Sequence, residues 1–415
     1  MPLTIFPRKS PPNIGGLFML PKRGINMKRI LSVILSLCAM LAILPTADAV
    51  SAATAVKSNG IAVLDITVDK TINQLHKDKY VYATGGTVIM YDAAGKELHR
   101  IGVKKFKGRG NASWSLAKDK KSYNLKLAEK TALIDGAGKA ADWCLLANNV
   151  HNDLKETSTL IHSNDRTGLA NMMAMTLYQQ MNGNAALQYQ PVDLYLNGEY
   201  RGTYLLTEKV EIHSKRVDIT KPVMTDGKTR RRVDESTANK STEEAEILRS
   251  GIRSFQYVSD AKVNTPGGFL IEVDSRYITG DEASWFVTRQ GASFVVKQPE
   301  HVTLPQMARI AAYVQEMEDA LFSDSGYNAQ GKYYTDYLDI PSLAKRYILD
   351  CFTAQFDIFK TSCYFYIDGN AGGLVGKLMS GPAWDYDFPV LDETDLYHYA
   401  AYRTQYNEWS IGARK

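Results

Sequence analysis

The dipeptide Asn197-Gly198 constrains this chain more than any other local feature. It sits between two alternating apolar runs, Pro191-Val192-Asp193-Leu194-Tyr195-Leu196 and Arg201-Gly202-Thr203-Tyr204-Leu205-Leu206. Asn-Gly accepts the two positive-φ positions of a type I′ turn, whose twist matches that of paired strands, so a tight hairpin is expected. Similar runs recur through the chain. Residues 61–68 are apolar and β-branched, 80–84 and 87–91 flank Gly85-Gly86 and read as another hairpin, and 122–127, 141–149, 267–274 and 294–300 read as further strands.

Helical periodicity is less common. Residues 169 to about 181 place Leu169, Met172, Met173, Thr176, Leu177 and Gln180 at spacings of three and four, and 304 to about 322 set Met307, Ile310, Ala311, Val314 and Met317 on one side. Ile340-Pro341-Ser342 opens a last helix that carries Leu343, Tyr347, Ile348, Cys351 and Phe352, with Asp336 or Asp339 as its cap. The class is therefore α+β. At 415 residues and 45% hydrophobic, the chain suits one large domain or two intimate lobes. Residues 221–262 break the pattern, with Arg230-Arg231-Arg232 ahead of Glu243, Glu244 and Glu246, and read as an exposed insertion, disordered or partly helical.

Met27-Lys28-Arg29, the apolar run 30–44 and Pro45-Thr46-Ala47-Asp48-Ala49 form a signal-peptide pattern with cleavage expected after Ala49. A secreted or cell-surface protein is expected, with Met27 as the true start, residues 1–26 upstream of it, and no stable membrane span after cleavage. The signal also corrects the charge. The formal net charge is +4, but residues 1–49 hold six Lys/Arg and one Asp, and without them 43 basic residues face 44 acidic ones. Nothing in that balance, and no basic stripe with interleaved aromatics, points to nucleic acid. Cys144, Cys351 and Cys363 remain after cleavage, an odd number without metal-ligand spacing, which excludes a disulfide framework.

The chemistry concentrates in residues 355–388. Asp357 stands at a helix end, a hairpin follows through Tyr364–Ile367 and Gly376–Met379, and the chain then reaches Trp384-Asp385-Tyr386-Asp387. Asp385 and Asp387 are two apart, so in an extended segment they share a face. The layout parallels the catalytic half of a protein kinase, where an Asp that takes the hydroxyl proton precedes a metal ligand by five residues and a β-turn-β leads to a metal-binding Asp. Ser362 occupies the position five after Asp357. Upstream, Gly108-Arg109-Gly110 forms a turn able to bring backbone N–H groups to an anion, amid Lys104, Lys105 and Lys107. Lys126 lies on the face of Ser122 and Asn124, as a phosphate-holding strand lysine does, and Glu208 is either its partner or an ordinary surface charge.

Taken in order, Lys107–Trp114, Tyr123–Leu127, Trp143–Asn148, Asp193–Gly202, Gly267–Asp274 and Trp384–Asp387 resemble the CotH (spore-coat protein H) kinase family over about residues 60–390. The resemblance implies an atypical protein-kinase-like fold, with a β-rich N-terminal part and a mixed helical C-terminal part around a nucleotide cleft. It implies ATP, magnesium or manganese, and phosphorylation of protein Ser/Thr, notably in spore-coat proteins. By position, Asp357 would be the catalytic Asp, and Asp385 the metal-binding Asp with Asp387 as its neighbour. Lys126 would contact phosphate with Glu208 as its partner, and the Arg109–Asn111 turn would lie over the nucleotide. The sequence departs from the family in three places: Ser362 replaces the usual Asn at the metal position, residues 150–164 are extra, and the chain ends 28 residues after Asp387, which reads as a truncated C-terminus. Two other functions fit the same residues: a catalytically inactive surface or spore-coat scaffold, and another nucleotide-dependent transfer such as AMP addition.

Overall fold

Strand pairing in the first half closes on itself. In the computed structural model the described residues are 58–386, apart from 116, 118–119, 148–167, 279–281, 354 and 356–359. The first strands are β1 (Ala62–Val68), β2 (Tyr82–Ala83), β3 (Gly86–Tyr91), β4 (Glu97–Gly108), β5 (Tyr123–Thr131), β6 (Ala140–Leu146), β7 (Tyr189–Leu196) and β8 (Glu199–Glu208). They run in the order β4-β3-β1-β7-β8-β6-β5, and β5 pairs back with β4, giving a seven-stranded barrel with β2 added on β4. Every neighbour is antiparallel except β1 and β7, which are parallel. Alternation decides what fills it: Leu64, Ile66, Val88, Phe106, Tyr123, Leu125, Trp143, Leu194 and Leu206 point inward and pack together.

The β7–β8 hairpin forms as its sequence requires, with Asn197 at φ 52° and Gly198 at φ 79°. The Asn197 side chain also accepts from the Val68 N–H and donates to the Lys70 carbonyl, both at 2.8 Å, so the turn residue fixes the end of β1. Asp193 points out of the barrel yet is fully buried, accepting from Asn59, Tyr200 and Thr203. The Gly85-Gly86 hairpin does not form: β2 pairs with β4, while β3 pairs with β1 and β4. The two glycines let the chain cross to a different partner instead of reversing on itself.

The second half carries β9 (Val223–Thr225), β10 (Arg230–Asp234), β11 (Ser254–Val258), β12 (Lys262–Thr265), β13 (Phe269–Val273), β14 (Trp285–Val287), β15 (Ser293–Gln298), β16 (Cys363–Asn370) and β17 (Gly373–Ser380). Seven form an antiparallel sheet in the order β10-β11-β14-β15-β13-β16-β17, and β9 pairs with β12 alone. The helices are α1 (Ile72–His76), α2 (Ala112–Ser115), α3 (Ala170–Gln180), α4 (Thr242–Arg249), α5 (Leu304–Leu321), α6 (Tyr334–Tyr337) and α7 (Ile340–Phe352). One face of the second sheet (Phe255, Phe269, Ile271, Phe286, Phe294) packs on Met307, Ile310, Ala311 and Val314 of α5. The other face presents Leu270, Tyr364 and Tyr366 to Cys144, Leu146 and Leu205 on the outer wall of the barrel, with Trp384 in the same layer. Barrel and sheet thus share one apolar seam.

The α+β class holds, but the C-terminal part is organised by a sheet rather than by mixed helices. Residues 221–262 are not an exposed insertion. They supply β10, α4 and β11, and Val233, Ile247 and Phe255 sit in the core. The charges that suggested disorder are partly matched, since Arg231 pairs with Glu244. Helix α3 is rotated from the expected face: Ala170, Asn171, Ala174, Met175 and Tyr178 are buried, while Leu169 is exposed. Among the described residues no helix is long and apolar enough to cross a membrane. The 27–49 signal pattern lies outside the described residues.

Candidate active site

After β17 the chain turns at Gly381 and passes through Trp384, Asp385 and Tyr386 outside any strand; Asp385 has φ 68°, so the segment is not extended there as the expected shared face of Asp385 and Asp387 required. Gly381 has φ 131°, and a Cβ there would lie 2.5 Å from the Asn184 carbonyl oxygen, so only glycine passes this point. The segment is then held from several sides. The Tyr386 N–H donates to Asn171 of α3 at 2.8 Å, and Gln355 donates to the Asp385 carbonyl at 2.6 Å. The Tyr386 hydroxyl donates to Asp350 of α7, and Arg346, one turn earlier on α7, bonds both Asp350 oxygens at 2.8 and 3.0 Å and the Pro382 carbonyl at 3.3 Å. Arg346 and Asp350 are both buried. The buried face of α7 therefore carries an ion pair beside Ser342 and Leu349, while the Tyr347, Ile348 and Phe352 that gave it an apolar reading are exposed.

This framework presents Asp385 to Ser362. The Ser362 hydroxyl donates to Asp385 Oδ2 at 2.9 Å. Both residues are in the left-handed region, Ser362 at φ 56° and Asp385 at φ 68°. Non-glycine residues rarely adopt that conformation, and it tends to persist where the surrounding structure enforces it. The Ser362 N–H in turn donates to Glu272 Oε1 of β13 at 3.1 Å.

Glu272 leads to a lysine. Lys297 of β15 lies 3.2 Å from Glu272 and 2.8 Å from Glu282. Burial pushes the Glu272 carboxyl up to about 7, opposed by Lys297 and reinforced by Asp274. Burial alone would lower the Lys297 ammonium, but Glu272 and Glu282 outweigh it and hold its pKa above the ordinary lysine value, so this lysine stays charged. Burial also raises the Tyr364 hydroxyl; Glu272 and Asp385 raise it further and Arg109 lowers it, so its ring stands among these groups.

Arg109 brings in the barrel. It follows β4 in the Gly-x-Gly loop, where Gly110 has φ 94° and a Cβ would fall 2.1 Å from Ser113 Oγ. The Arg109 N–H donates to the Ser122 carbonyl at 3.0 Å, and its guanidinium lies 5.3 Å over the Trp384 ring. The loop and the Asp385 segment, distant in sequence, thus meet at the seam.

The other expected residues are placed differently. Asn111 is exposed and accepts from Lys79 at 2.7 Å. Lys126 pairs with Asp142 at 3.4 Å on the Cys144 face of the barrel wall and is 43% exposed. The expected Lys126–Glu208 pair does not form. Lys126 sits opposite Asp142 and Glu208 opposite Trp143; Asp142 and Trp143 are consecutive on β6, so the two side chains leave opposite faces of the sheet. Glu208 is fully buried and pairs with Arg216 at 3.1 Å, which lies over the Trp143 ring. Asp357 and Asp387 lie outside the described residues. Among the described residues no group of three or more His, Cys, Asp and Glu side chains forms a metal-binding set.

Sequence reading missed Glu272, Lys297 and the Arg346–Asp350 pair. The signal for the first two was a charge inside a run that is otherwise apolar: Phe269-Leu270-Ile271-Glu272-Val273 and Phe294-Val295-Val296-Lys297. A charge in such a run needs a partner. The partner became visible only once β13 and β15 were neighbours.

No curated protein matches the chain. A family model, CotH kinase protein, matches residues 106–412, a span that includes the Arg109 loop, Glu272, Lys297, Ser362 and Asp385. The chain belongs to the CotH kinase family.

Proposed function

We propose that the chain is an ATP- and divalent-metal-dependent kinase that phosphorylates Ser or Thr side chains of proteins and acts as a secreted or cell-surface protein. The observation that carries the reading is the Ser362–Asp385 hydrogen bond between two residues held at positive φ. Its support from α7, α3 and Gln355 pre-orients one carboxylate beside the Arg109 loop. The kinase-like reading of the fold rests on the same meeting: the barrel contributes the glycine loop and the second sheet contributes the hairpin that ends at Asp385. The export reading rests on the 27–49 signal pattern.

The donor set suits the ligand. Magnesium and manganese take oxygen ligands, and magnesium commonly uses one or two protein carboxylates with phosphate and water completing the shell. The Asp385 carboxylate and Ser362 hydroxyl are oxygen donors side by side, and Asp387 stands two residues on. Bound Mg-ATP supplies the phosphoryl group and the positive charge that stabilises its transfer. The chain's own residues do the rest. Asp357 would orient the acceptor hydroxyl and take its proton, Asp385 and Ser362 would hold the metal, and Arg109 would add positive charge beside Trp384.

Transfer is tested directly with the chain from Val50 onward, Mg-ATP labelled at the γ-phosphate and an unstructured Ser/Thr-rich acceptor protein. Labelled phosphoserine or phosphothreonine is expected with the wild type and lost in Asp357→Asn and Asp385→Asn. Nucleotide binding without transfer would contradict the kinase reading and favour the scaffold. The residue type at 362 favours that second reading: a short serine hydroxyl stands where the family's Asn would offer an amide oxygen to a metal.

A further inference from the structure

The residue that meets the nucleotide phosphates is decided by which cation reaches Asp385. Three links connect Lys297 to it: 3.2 Å from Lys297 to Glu272, 3.1 Å from Glu272 to the Ser362 N–H, and 2.9 Å from Ser362 to Asp385. Lys126 has no such chain among the described residues; its ammonium is placed on Asp142 at the barrel wall. An ammonium carries three N–H donors. Glu272 and Glu282 accept two of those of Lys297, which leaves one without an acceptor among the described residues. The Lys297 side chain is 30% exposed while that of Glu272 is 7%, so the carboxylate is the fixed base and the ammonium the reachable end.

We propose that Lys297, oriented by the buried Glu272, is the residue that contacts the nucleotide phosphates, and that Lys126 belongs to the barrel wall. The proposal rests on the nucleotide-dependent reading given above. Its logic is charge placement. Glu272, Glu282 and Asp385 outnumber Lys297 and Arg109 locally, so a bare polyanion is poorly matched, whereas a phosphate chain carrying a divalent cation is complementary to both the carboxylates and the ammonium. A lysine locked against a glutamate presents its remaining donor in one direction, which suits a phosphate oxygen in a defined position. Glu272 is a positioning residue, since it acts through Lys297 and Ser362.

The test is a comparison of Mg-ATP and adenosine binding, by calorimetry, in the chain from Val50 onward. The wild type is expected to prefer Mg-ATP. Lys297→Met is expected to weaken Mg-ATP by about tenfold or more, the loss of one charge-assisted bond, and to leave adenosine unchanged. Lys126→Met is expected to keep the wild-type ratio. Because Lys297→Met strands Glu272 without its cation, the double variant Glu272→Gln/Lys297→Met is measured alongside; it restores charge balance and is expected to lose the same phosphate-dependent part. Full Mg-ATP preference in both Lys297 variants, or its loss in Lys126→Met alone, overturns the assignment. A wild type that binds neither ligand overturns the nucleotide reading itself, and the assignment with it.

Discussion

Ser362 and Asp385 hold each other in a backbone region that asparagine tolerates better than serine. Ser362→Asn would relax φ at that position and give the proposed metal site a longer arm with an amide oxygen. Its expected effect is a rise in Mg-ATP affinity of several-fold, roughly 1 kcal/mol, with unchanged or higher thermal stability; a drop in affinity would show that the serine hydroxyl is itself the better ligand here. At this scale the sequence was informative where a motif fixes geometry. Arg109 of the Gly-x-Gly loop lies over the Trp384 ring and Ser362 bonds Asp385, so three residues singled out by motif meet at the seam. It misled where strand register decides: Lys126 and Glu208 look like a plausible pair until β6, lying between their strands, sends them to opposite faces.

Among the elements, α7 joins α3 in bearing on the site. It buries Arg346 and Asp350 beside Leu349 while Tyr347, Ile348 and Phe352 stay exposed, and the ion pair grips Tyr386 and Pro382 next to Asp385. Asp350→Ala leaves a buried arginine unmatched, so a loss of about 3–5 kcal/mol is expected in urea denaturation. The double variant Arg346→Met/Asp350→Leu should lose far less, because no buried charge remains; equal losses in both would mean the pair acts by packing alone. A pH test applies to α4. Glu244 closes its N-terminal cap and accepts from Arg231, Ser241 and Tyr257. The Arg231 bond, against the opposing effect of burial and helped by Ser241 and Tyr257, lowers the Glu244 carboxyl to about 2 from 4.5. A folded-state pKa below the unfolded one gives stability that is complete above about 4.5 and lost as pH falls toward 2. Glu244→Gln should flatten the fall in Tm over that window, and an unchanged profile would contradict the pairing. The β7–β8 and β16–β17 hairpins and the α5 face were legible because their signals are local. The faces of α3 and α7 were not, because both turn polar side chains toward the Tyr386 segment: Asn171 in one case and Arg346 with Asp350 in the other.

For the whole molecule, closure was the hidden feature. Pairing of β5 with β4 and the parallel contact of β1 with β7 join segments whose sequences carry no mark of each other, so the strands could be read but not the barrel. The same holds for the second sheet, where β13 lies between β15 and β16 and so brings Lys297, Glu272 and Ser362 together. The central claim is that this seam between barrel and sheet forms a metal-dependent nucleotide site around Asp385. It is tested most directly by the unfolding of the chain from Val50 onward with Mg-ATP, in the wild type and in Asp385→Ala. A hundredfold excess over Kd should stabilise the wild type by about 2.7 kcal/mol, through binding to the folded state alone. That shift should disappear without the metal and in the variant. An identical shift in Asp385→Ala, or none in a folded wild type, would contradict the claim.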